Sequence, residues 1–211
     1  MVKRREWKRD RYYKKAKEEG YRSRSAYKLM QIEDRFKLLK HGDIVVDLGA
    51  APGGWSQVAK ALVGERGAVI SVDLQHIEQM KGLITIKSDI REEELTLKAI
   101  KEAIALKGEV DVVISDVSPQ LSGNRDYDHF RSYELSNSAL NIAVAVLRKE
   151  GKFVTKIFQG DCYTRFYSAV KGKFRVTKAY SPVASRKRSA EVYVIGQGLL
   201  VHSDPAKTKD C

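Results

Sequence analysis

A glycine-rich segment follows the first apolar run of the chain and has the composition of a cofactor-binding turn. The run Ile44–Leu48 leads into D-L-G-A-A-P-G-G-W (residues 47–55), and the amphipathic stretch Gly54–Val63 comes next. Small residues at a strand-to-helix turn let a ligand lie close to the backbone, and doubly wound α/β proteins hold adenine-containing cofactors there. The segment therefore predicts a nucleoside-cofactor site, with a tight turn that binds nothing as the alternative.

The glycine spacing distinguishes between cofactor classes. A dinucleotide fingerprint needs a middle glycine that lets a pyrophosphate approach, but here Gly49 is followed by Gly53 and Gly54, and a G-x-x-x-x-G-K-[ST] loop does not occur. Asp73 ends the next strand run, where a carboxylate can accept hydrogen bonds from both ribose hydroxyls of an adenosine, and Asp89 follows the third run, where an acid commonly meets the adenine. Together these features favour S-adenosylmethionine (SAM) over NAD.

The fourth and fifth strand runs carry further polar residues. The fourth ends in S-D-V-S-P (residues 115–119), which contains neither an Asn/Asp-Pro-Pro-aromatic turn nor a cysteine, so methylation of a base amine or of cytosine C5 is not expected. The fifth carries Lys156 within an otherwise apolar run. Burial of an unpaired lysine is costly and lowers its pKa, which would suit it to accept a proton. The alternative is a lysine that reaches solvent at a strand end.

Alternating runs predict the elements that position these residues. The strand runs are Ile44–Leu48, Ala68–Leu74, Leu83–Ile86, Val110–Ser115, Lys152–Phe158, Phe174–Tyr180 and Glu191–Gly196. The helical stretches are Ser25–Leu39, Gly54–Val63, Glu92–Leu106, Arg131–Arg148 and Cys162–Lys171. Strands that alternate with helices predict a parallel sheet covered on both faces. The last two strand runs have no helix between them and are expected to pair antiparallel at a sheet edge.

Charge is concentrated at the N-terminus. Residues 1–28 hold twelve Lys/Arg and four acidic residues, which is +8 of the total formal charge of +12, and Tyr12, Tyr13, Tyr21, Tyr27 and Trp7 lie among them. Cations that neutralise phosphates beside rings that can stack on bases are typical of a nucleic-acid surface. We therefore expect a basic N-terminal arm over residues 1–24, a domain over residues 25–200 and a tail over residues 201–211.

Composition excludes several other classes. The chain of 211 residues is 43% hydrophobic and 31% charged, which is typical of a folded domain. No apolar run approaches the roughly 18 residues of a membrane span, and the basic N-terminus lacks the apolar core of a secretory signal. Neither the two cysteines nor the four histidines have metal-ligand spacing. We expect a cytoplasmic protein that uses no metal.

The chain resembles the FtsJ (RrmJ, RlmE)-type ribosomal RNA large-subunit methyltransferases. The resemblance rests on four segments in order: S-R-S-A-Y-K-L (residues 23–29), D-L-G-A-A-P-G-G-W-S-Q (47–57), S-D-V-S-P (115–119) and K-I-F (156–158), and it extends to E-V-Y (191–193). It implies a Rossmann-like SAM-dependent methyltransferase fold with a seven-stranded, mostly parallel sheet and an antiparallel last strand. It also implies methylation of a uridine 2′-hydroxyl in 23S rRNA of the large ribosomal subunit.

The resemblance also implies roles for individual residues. The catalytic set is expected at Lys28, Asp116, Lys156 and Glu191. From its chemistry Lys156 either accepts the proton of the 2′-hydroxyl, which is the role we favour, or orients the oxygen toward the methyl group. The SAM contacts are expected at Gly53, Trp55, Asp73, Asp89 and Asp116. From charge and chain position we add RNA contacts at Arg22, Arg24, Arg186, Lys187 and Arg188, with an exposed basic loop as the alternative for the last three.

Three other functions stay open from sequence. A tRNA 2′-O-methyltransferase of the same family would share the catalytic set. A non-catalytic ribosome-assembly factor would be expected to lack one of its four residues, and all four are present. A NAD-dependent dehydrogenase is disfavoured by the glycine spacing. A monomer is expected, because nothing in the sequence indicates a larger assembly.

Overall fold

The computed structural model describes residues 11–105, 107–186 and 189–200, in which strands and helices alternate. The strands are β1 (Ile44–Leu48), β2 (Ala68–Asp73), β3 (Leu83–Lys87), β4 (Val110–Ser115), β5 (Leu147–Phe158), β6 (Phe174–Tyr180) and β7 (Glu191–Leu199). The helices are α1 (Arg11–Glu18), α2 (Ala26–Phe36), α3 (Gly54–Val63), α4 (Glu93–Ile104), α5 (Arg125–Val146) and α6 (Tyr163–Lys171). Every predicted strand run is present, which confirms the α/β class.

The strands form one sheet in the order β3-β2-β1-β4-β5-β7-β6. β1 pairs in parallel with β2 and β4, β2 with β3, and β4 with β5, whereas β7 is antiparallel to both β5 and β6. The predicted late hairpin is confirmed, with β7 inserted between β5 and the edge strand β6. The strand order reverses between β1 and β4, and ligands of open α/β sheets bind beyond the carboxyl ends of the strands at such a switch point.

Helices cover both faces of the sheet, as a parallel sheet requires. All of β1 is buried, and its side chains alternate between two cores. Val45 packs with Leu29 of α2 and Val58 of α3 on one face, and Val46 belongs to the core that includes Ile100 of α4 and residues of α5 and α6 on the other. The polar residues at the strand ends are therefore held on a rigid, doubly covered scaffold.

Part of the basic N-terminal segment is folded onto this body. Ala16 of α1 is buried against Tyr27 and Ala184. The ring of Tyr27 lies 5.3 Å from that of Tyr12 and 5.8 Å from that of Tyr21. Three of the rings considered for stacking on bases therefore pack on one another, and Trp7 lies outside the described residues.

The end of α2 differs from the sequence prediction. The helix ends at Phe36 rather than Leu39, because Lys37 adopts a left-handed backbone with φ 50°. Glu33 Oε2 then accepts the backbone N–H groups of Leu38 and Leu39 at 2.8 and 3.0 Å. This carboxylate satisfies donors that the helix would otherwise have used and turns the two leucines into the core.

The start of α5 also differs. The helix begins at Arg125 rather than Arg131, because Asn124 acts as its N-cap. The side-chain oxygen of Asn124 accepts the backbone N–H groups of Asp126 and Tyr127 at 3.1 and 3.2 Å. Such caps stabilise a helix start by about 1 kcal/mol, so the polar first turns remain helical without apolar periodicity.

Candidate active site

Four charged side chains from four elements meet at the carboxyl end of β4. Lys28 comes from α2, Asp116 follows β4, Lys156 lies in β5 and Glu191 begins β7. The antiparallel pairing of β5 with β7 places Lys156 opposite Tyr193 and two residues from the position opposite Glu191. Since side chains two apart on a strand share a face, the register brings Lys156, Glu191 and Tyr193 to one side of the sheet, the side that α2 covers.

The four groups form two short ion pairs and two longer ones. Lys28 Nζ lies 2.8 Å from Glu191 Oε2 and 3.9 Å from Asp116 Oδ1. Lys156 Nζ lies 3.0 Å from Asp116 Oδ1 and 3.9 Å from Glu191 Oε1. The exposed fractions of these side chains run from 4% for Lys156 to 17% for Glu191. Two ammonium groups and two carboxylates therefore compensate one another in a largely dehydrated space.

Asp116 is the centre of this cluster. Burial raises the pKa of a carboxyl, but the charges of Lys156 and Lys28 and the hydrogen bond from Tyr193 outweigh it, so the pKa of Asp116 lies below its ordinary value. The Tyr193 hydroxyl donates to Asp116 Oδ1 at 2.6 Å. Burial, with the nearby Asp116 and Glu191 charges, raises the pKa of Tyr193 well above its ordinary value. Asp116 is thus an anion and Tyr193 a neutral donor at neutral pH.

Backbone contacts fix the position of Lys156. Its Nζ donates to the carbonyl oxygen of Asp116 at 2.8 Å, so that residue binds it through both main chain and side chain. Ser136 of α5 donates to the carbonyl oxygen of Lys156 at 2.8 Å. On the other side, the ring of Tyr193 stacks on Trp55 with centroids 5.6 Å apart. The lysine is therefore held on rigid elements rather than on loops.

A first cavity, of about 760 Å³, lies beyond β1, β2 and β4 at the switch point of the sheet. We call it the cofactor cleft. Its walls include Gly49 and Ala51 of the glycine turn, Asp73, Asp89 and Asp116. Gly49 has φ +73°, and a Cβ at this position would lie 2.7 Å from Val117 Cβ, so the two turns meet here without room for a side chain.

Asp73 and Asp89, which are predicted to contact SAM, accept hydrogen bonds from different kinds of group in the structure. Asp73 accepts the backbone N–H of Ala51 at 2.9 Å and of Gln75 at 2.7 Å, one on each oxygen. Each carboxylate oxygen retains acceptor capacity, so the ribose contact predicted for Asp73 is sterically and chemically open. Asp89 is held by Arg91, whose side-chain and backbone hydrogen bonds lower the pKa of Asp89.

Two other predicted contacts do not offer a side chain to the cleft. Gly53 has φ +108° and lies against the guanidinium of Arg22. The indole of Trp55 is 2% exposed, and its Nε1 donates to the carbonyl oxygen of Ser25 at 2.8 Å. The ring of Trp55 is part of the core below Tyr193, and a contact between Trp55 and the cofactor stays a prediction. Gly53 and Trp55 can therefore contact a cofactor only through their backbone groups at the start of α3.

Asp47 is a buried acid below the glycine turn. Its Oδ2 accepts a hydrogen bond from Ser56 Oγ at 2.6 Å, and Oδ1 has no hydrogen-bond partner among the described residues. Burial, only partly offset by Ser56 and reinforced by the charges of Asp116 and Asp73, raises the pKa of Asp47 to about 7. Sequence reasoning treated this residue only as part of the glycine motif.

A second cavity, of about 780 Å³, opens on the other side of the charged cluster. We call it the acceptor cavity. Lys28 and Glu191 line it, together with Ser118 and Leu121, which also line the cofactor cleft. The two cavities therefore share a wall beside Asp116. A methyl donor in one and an acceptor in the other would meet at the four charged groups.

The arginines predicted to bind RNA fall into two groups. Arg24 and Arg186 line the acceptor cavity, and the guanidinium of Arg24 also donates to the carbonyl oxygen of Ala184. Burial together with the nearby Arg186 lowers the pKa of Arg24. Arg22 instead donates to the carbonyl oxygens of Glu78 and Gln79 at 2.8 and 3.3 Å. Its guanidinium ties the N-terminal segment to the loop between β2 and β3. Lys187 and Arg188 lie outside the described residues.

Sequence reasoning did not identify Tyr193 or Ser136 as parts of the site. Tyr193 carries a usable signal, because it follows Glu191 by two positions in a strand and must share its face. Ser136 carries none, since a serine in a helix gives no indication of the strand that its hydroxyl contacts.

Within the described ranges, no group of three or more His, Cys, Asp or Glu is arranged to hold a metal ion. Nor does any helix in this part of the chain have the length and apolar character needed to cross a bilayer.

Comparison with known proteins adds an independent line of evidence. The family model described as FtsJ-like methyltransferase matches residues 21–199. The ribosomal RNA large subunit methyltransferase E of Methanothrix thermoacetophila is 56% identical over 191 residues, which cover 90% of this chain and 73% of that protein. The protein of the same name from Archaeoglobus fulgidus is 50% identical over 188 residues, covering 89% and 95%.

A solved structure has the same fold. A Plasmodium falciparum protein described as a ribosomal RNA methyltransferase superposes with a TM-score of 0.76 at 25% identity. The match covers 86% of this chain and 100% of that one.

Proposed function

The chain belongs to the FtsJ-like methyltransferase family, whose members use SAM, and from this premise we propose that it methylates a ribose 2′-hydroxyl of a uridine in 23S rRNA of the large ribosomal subunit. Residue matches extend over most of the chain and of its relatives, which carry the name ribosomal RNA large subunit methyltransferase E. The observation that carries the proposal is the placement of Lys28, Asp116, Lys156 and Glu191 between the two cavities.

The cofactor cleft fits SAM better than a dinucleotide. Asp73 at the end of β2 retains the acceptor capacity that ribose hydroxyls require. Asp116 is an anion at the inner end of the cleft, which suits a sulfonium cation and would repel a pyrophosphate. Gly53 and Trp55 would contribute through their backbone at the start of α3, and Asp89 lies in the wall where the adenine is expected.

When bound, SAM supplies a methyl group that is attached to a positively charged sulfur. The sulfur then leaves as a neutral thioether. The acceptor oxygen must lose its proton as the O–CH3 bond forms and the S–CH3 bond breaks. We assign that proton to Lys156 Nζ, which is an ammonium in the resting cluster and must lose a proton to solvent before it can accept this one. Asp116 at 3.0 Å and Glu191 at 3.9 Å would stabilise the resulting ammonium, so proton transfer produces a compensated ion rather than an isolated buried charge.

Lys28 and Tyr193 keep this arrangement in place. Lys28 lies 2.8 Å from Glu191 Oε2, and the other oxygen of that carboxylate lies 3.9 Å from Lys156. Tyr193 donates to Asp116 and fixes the oxygen that faces both lysines. Positioning of oxygen, methyl and sulfur in line would supply much of the remaining acceleration.

RNA binding is assigned to the basic surface around the acceptor cavity. Arg24 and Arg186 lie at its wall, and residues 1–24 carry most of the net charge of the chain. Cations in this number would give binding that weakens steeply with salt. We propose that residues 1–24 serve RNA binding, that residues 25–200 form the methyltransferase domain, and that the cytoplasmic protein acts as a monomer without a metal.

The test is transfer of a labelled methyl group from SAM to ribosomes that lack the modification. After digestion of the RNA, we expect the label in 2′-O-methyluridine from the large subunit. The same linkage should resist alkaline cleavage, because a methylated 2′-oxygen can no longer attack the phosphate. Label on a base would refute the proposed reaction, and label on tRNA alone would point to the tRNA enzyme of the same family.

A further inference from the structure

An aromatic ring lies in the wall of the acceptor cavity close to the charged cluster. Phe158 ends β5, is partly exposed and lines the cavity together with Glu191. In the antiparallel ladder Phe158 is directly opposite Glu191, just as Lys156 is opposite Tyr193. Lys156 and Phe158 therefore stand on one face of β5, about 7 Å apart along the strand.

This spacing matches the dimensions of one nucleoside. A base and the 2′-oxygen of its ribose are separated by a few ångströms, so an oxygen at Lys156 places the attached base near the ring of Phe158. The cavity volume of about 780 Å³ is sufficient for a nucleotide. Because the side chain of Lys156 is only 4% exposed, a ribose must enter the cavity to reach it, and a nucleotide kept within a stacked helix cannot do so.

The ring is held in place by its surroundings. The backbone N–H of Phe158 donates to Ser132 Oγ of α5 at 3.0 Å. The ring of His129 packs against Phe158 with centroids 6.0 Å apart and planes at 68°. Gly160 leaves the space that His129 occupies, since a side chain there would overlap the imidazole. A flat surface fixed in this way loses little entropy when a second ring stacks on it.

Positively charged side chains surround the cavity and suit the phosphates of a nucleotide. Arg24, Arg125 and Arg186 line the same cavity as Phe158. An apolar ring flanked by guanidinium groups suits the flat base and the charged phosphates of a single nucleotide.

From these observations we infer a base-binding subsite: the target nucleotide turns out of its RNA strand and its base stacks on Phe158 while its 2′-hydroxyl meets Lys156. The inference rests on the proposed function and adds how the acceptor is recognised. Phe158 touches the base and not the reacting atoms. It is therefore a substrate-binding residue of the acceptor site and not a catalytic one.

The experiment replaces the ring in three ways. Phe158→Ala removes it, Phe158→Leu keeps apolar volume without a flat surface, and Phe158→Tyr keeps the ring. Each variant is assayed for labelled methyl transfer from SAM to large ribosomal subunits that lack the modification, and its SAM affinity is measured by calorimetry. Phe130→Ala, which removes an exposed ring from α5, is the matched control.

We expect kcat/KM for the acceptor to fall between about fivefold and 150-fold in the alanine and leucine variants, as for loss of one base–aromatic stack. The tyrosine variant and the control should stay close to wild type, and SAM affinity should be unchanged in all four. Full activity of the leucine or alanine variant would overturn the inference while leaving the proposed function intact. No transfer by the wild type to any RNA would overturn the proposed function, and the subsite with it.

Discussion

Removal of one lysine from the charged cluster should expose how much the cluster depends on charge balance. Lys28→Met leaves Asp116 and Glu191 with Lys156 alone, and the lost ammonium lies 2.8 Å from one carboxylate and 3.9 Å from the other. The side chains involved are between 4% and 17% exposed, so water compensates little. Removing one partner of a buried ion pair costs about 3–5 kcal/mol, because the other charge stays buried without compensation. We expect the free energy of unfolding of Lys28→Met to fall by this amount.

A second substitution restores the balance without restoring the lysine. In Lys28→Met/Glu191→Gln one negative charge is removed together with the positive one, so the remaining pair of Asp116 and Lys156 at 3.0 Å is neutral. We expect the double variant to lie within about 2 kcal/mol of wild type and therefore to be more stable than Lys28→Met alone. Methyl transfer should be lost in both variants, because each lacks a member of the cluster.

Urea denaturation at pH 7 measures both variants, and equal m-values confirm that they expose the same surface. Lys37→Met is the control: its ion pair with Asp34 is exposed, so stability should change by no more than about 1 kcal/mol and activity should not change. If the double variant is no more stable than Lys28→Met, charge compensation is not what Lys28 provides, and the reasoning is refuted.

Three further predictions follow from buried or crowded positions. Because burial raises the pKa of Asp47 from 3.8 to about 7, the folded chain keeps a proton that the unfolded chain has lost, and the contribution of Asp47 to stability falls as pH rises through this interval. Asp47→Asn should therefore gain about 3 kcal/mol relative to wild type between pH 5 and pH 8 in urea denaturation, and parallel pH curves would contradict the raised pKa. Gly49→Ala, whose Cβ would lie 2.7 Å from Val117 Cβ in a backbone with φ +73°, should weaken SAM binding about tenfold or more in calorimetry, whereas an unchanged affinity would mean that the turn does not border the cofactor. Arg22→Ala should weaken SAM binding and leave the salt dependence of RNA binding unchanged, while Arg24→Ala should lower the salt slope by about one; the reverse pattern would return Arg22 to the RNA surface.

The sheet and its polar strand ends could be predicted from the sequence. Apolar and β-branched runs identified the strands, and the absence of a helix between the last two identified the hairpin. Because the carboxyl ends of parallel strands meet at one edge, Asp73 and Asp116 could be expected to border one site. The cofactor cleft contains both.

The position of Lys28 beside Asp116 and Glu191 could not be predicted from the pattern of strands. It is a residue of α2, and the sequence gives no indication of which strand ends the helix crosses. The catalytic role of Lys28 was predicted from the resemblance to a known family, whereas its position beside Glu191 follows from the packing of α2 over β5 and β7. Trp55 shows a related limit, since a motif locates a residue near a turn without giving the direction of its side chain, which here lies in the core.

Helix boundaries were missed for a local reason. The turns from Arg125 to Phe130 lack apolar periodicity, and the polar cap at Asn124 decides where α5 begins. Arg22 was expected among phosphate ligands because of its charge. In the structure its guanidinium donates to the backbone carbonyls of Glu78 and Gln79 at the surface, and its contact with RNA stays a prediction.

The most direct test of the central claim compares two lysines of the same strand. Lys156→Met and Lys152→Met are assayed beside wild type for labelled methyl transfer from saturating SAM to large ribosomal subunits that lack the modification, and SAM binding is measured for each. Lys152 donates to the carbonyl oxygens of Lys37 and Leu38, away from both cavities. We predict that wild type and Lys152→Met produce 2′-O-methyluridine, and that Lys156→Met binds SAM and transfers no methyl group. Transfer by Lys156→Met at the wild-type rate, or a label found on a base, would contradict the account.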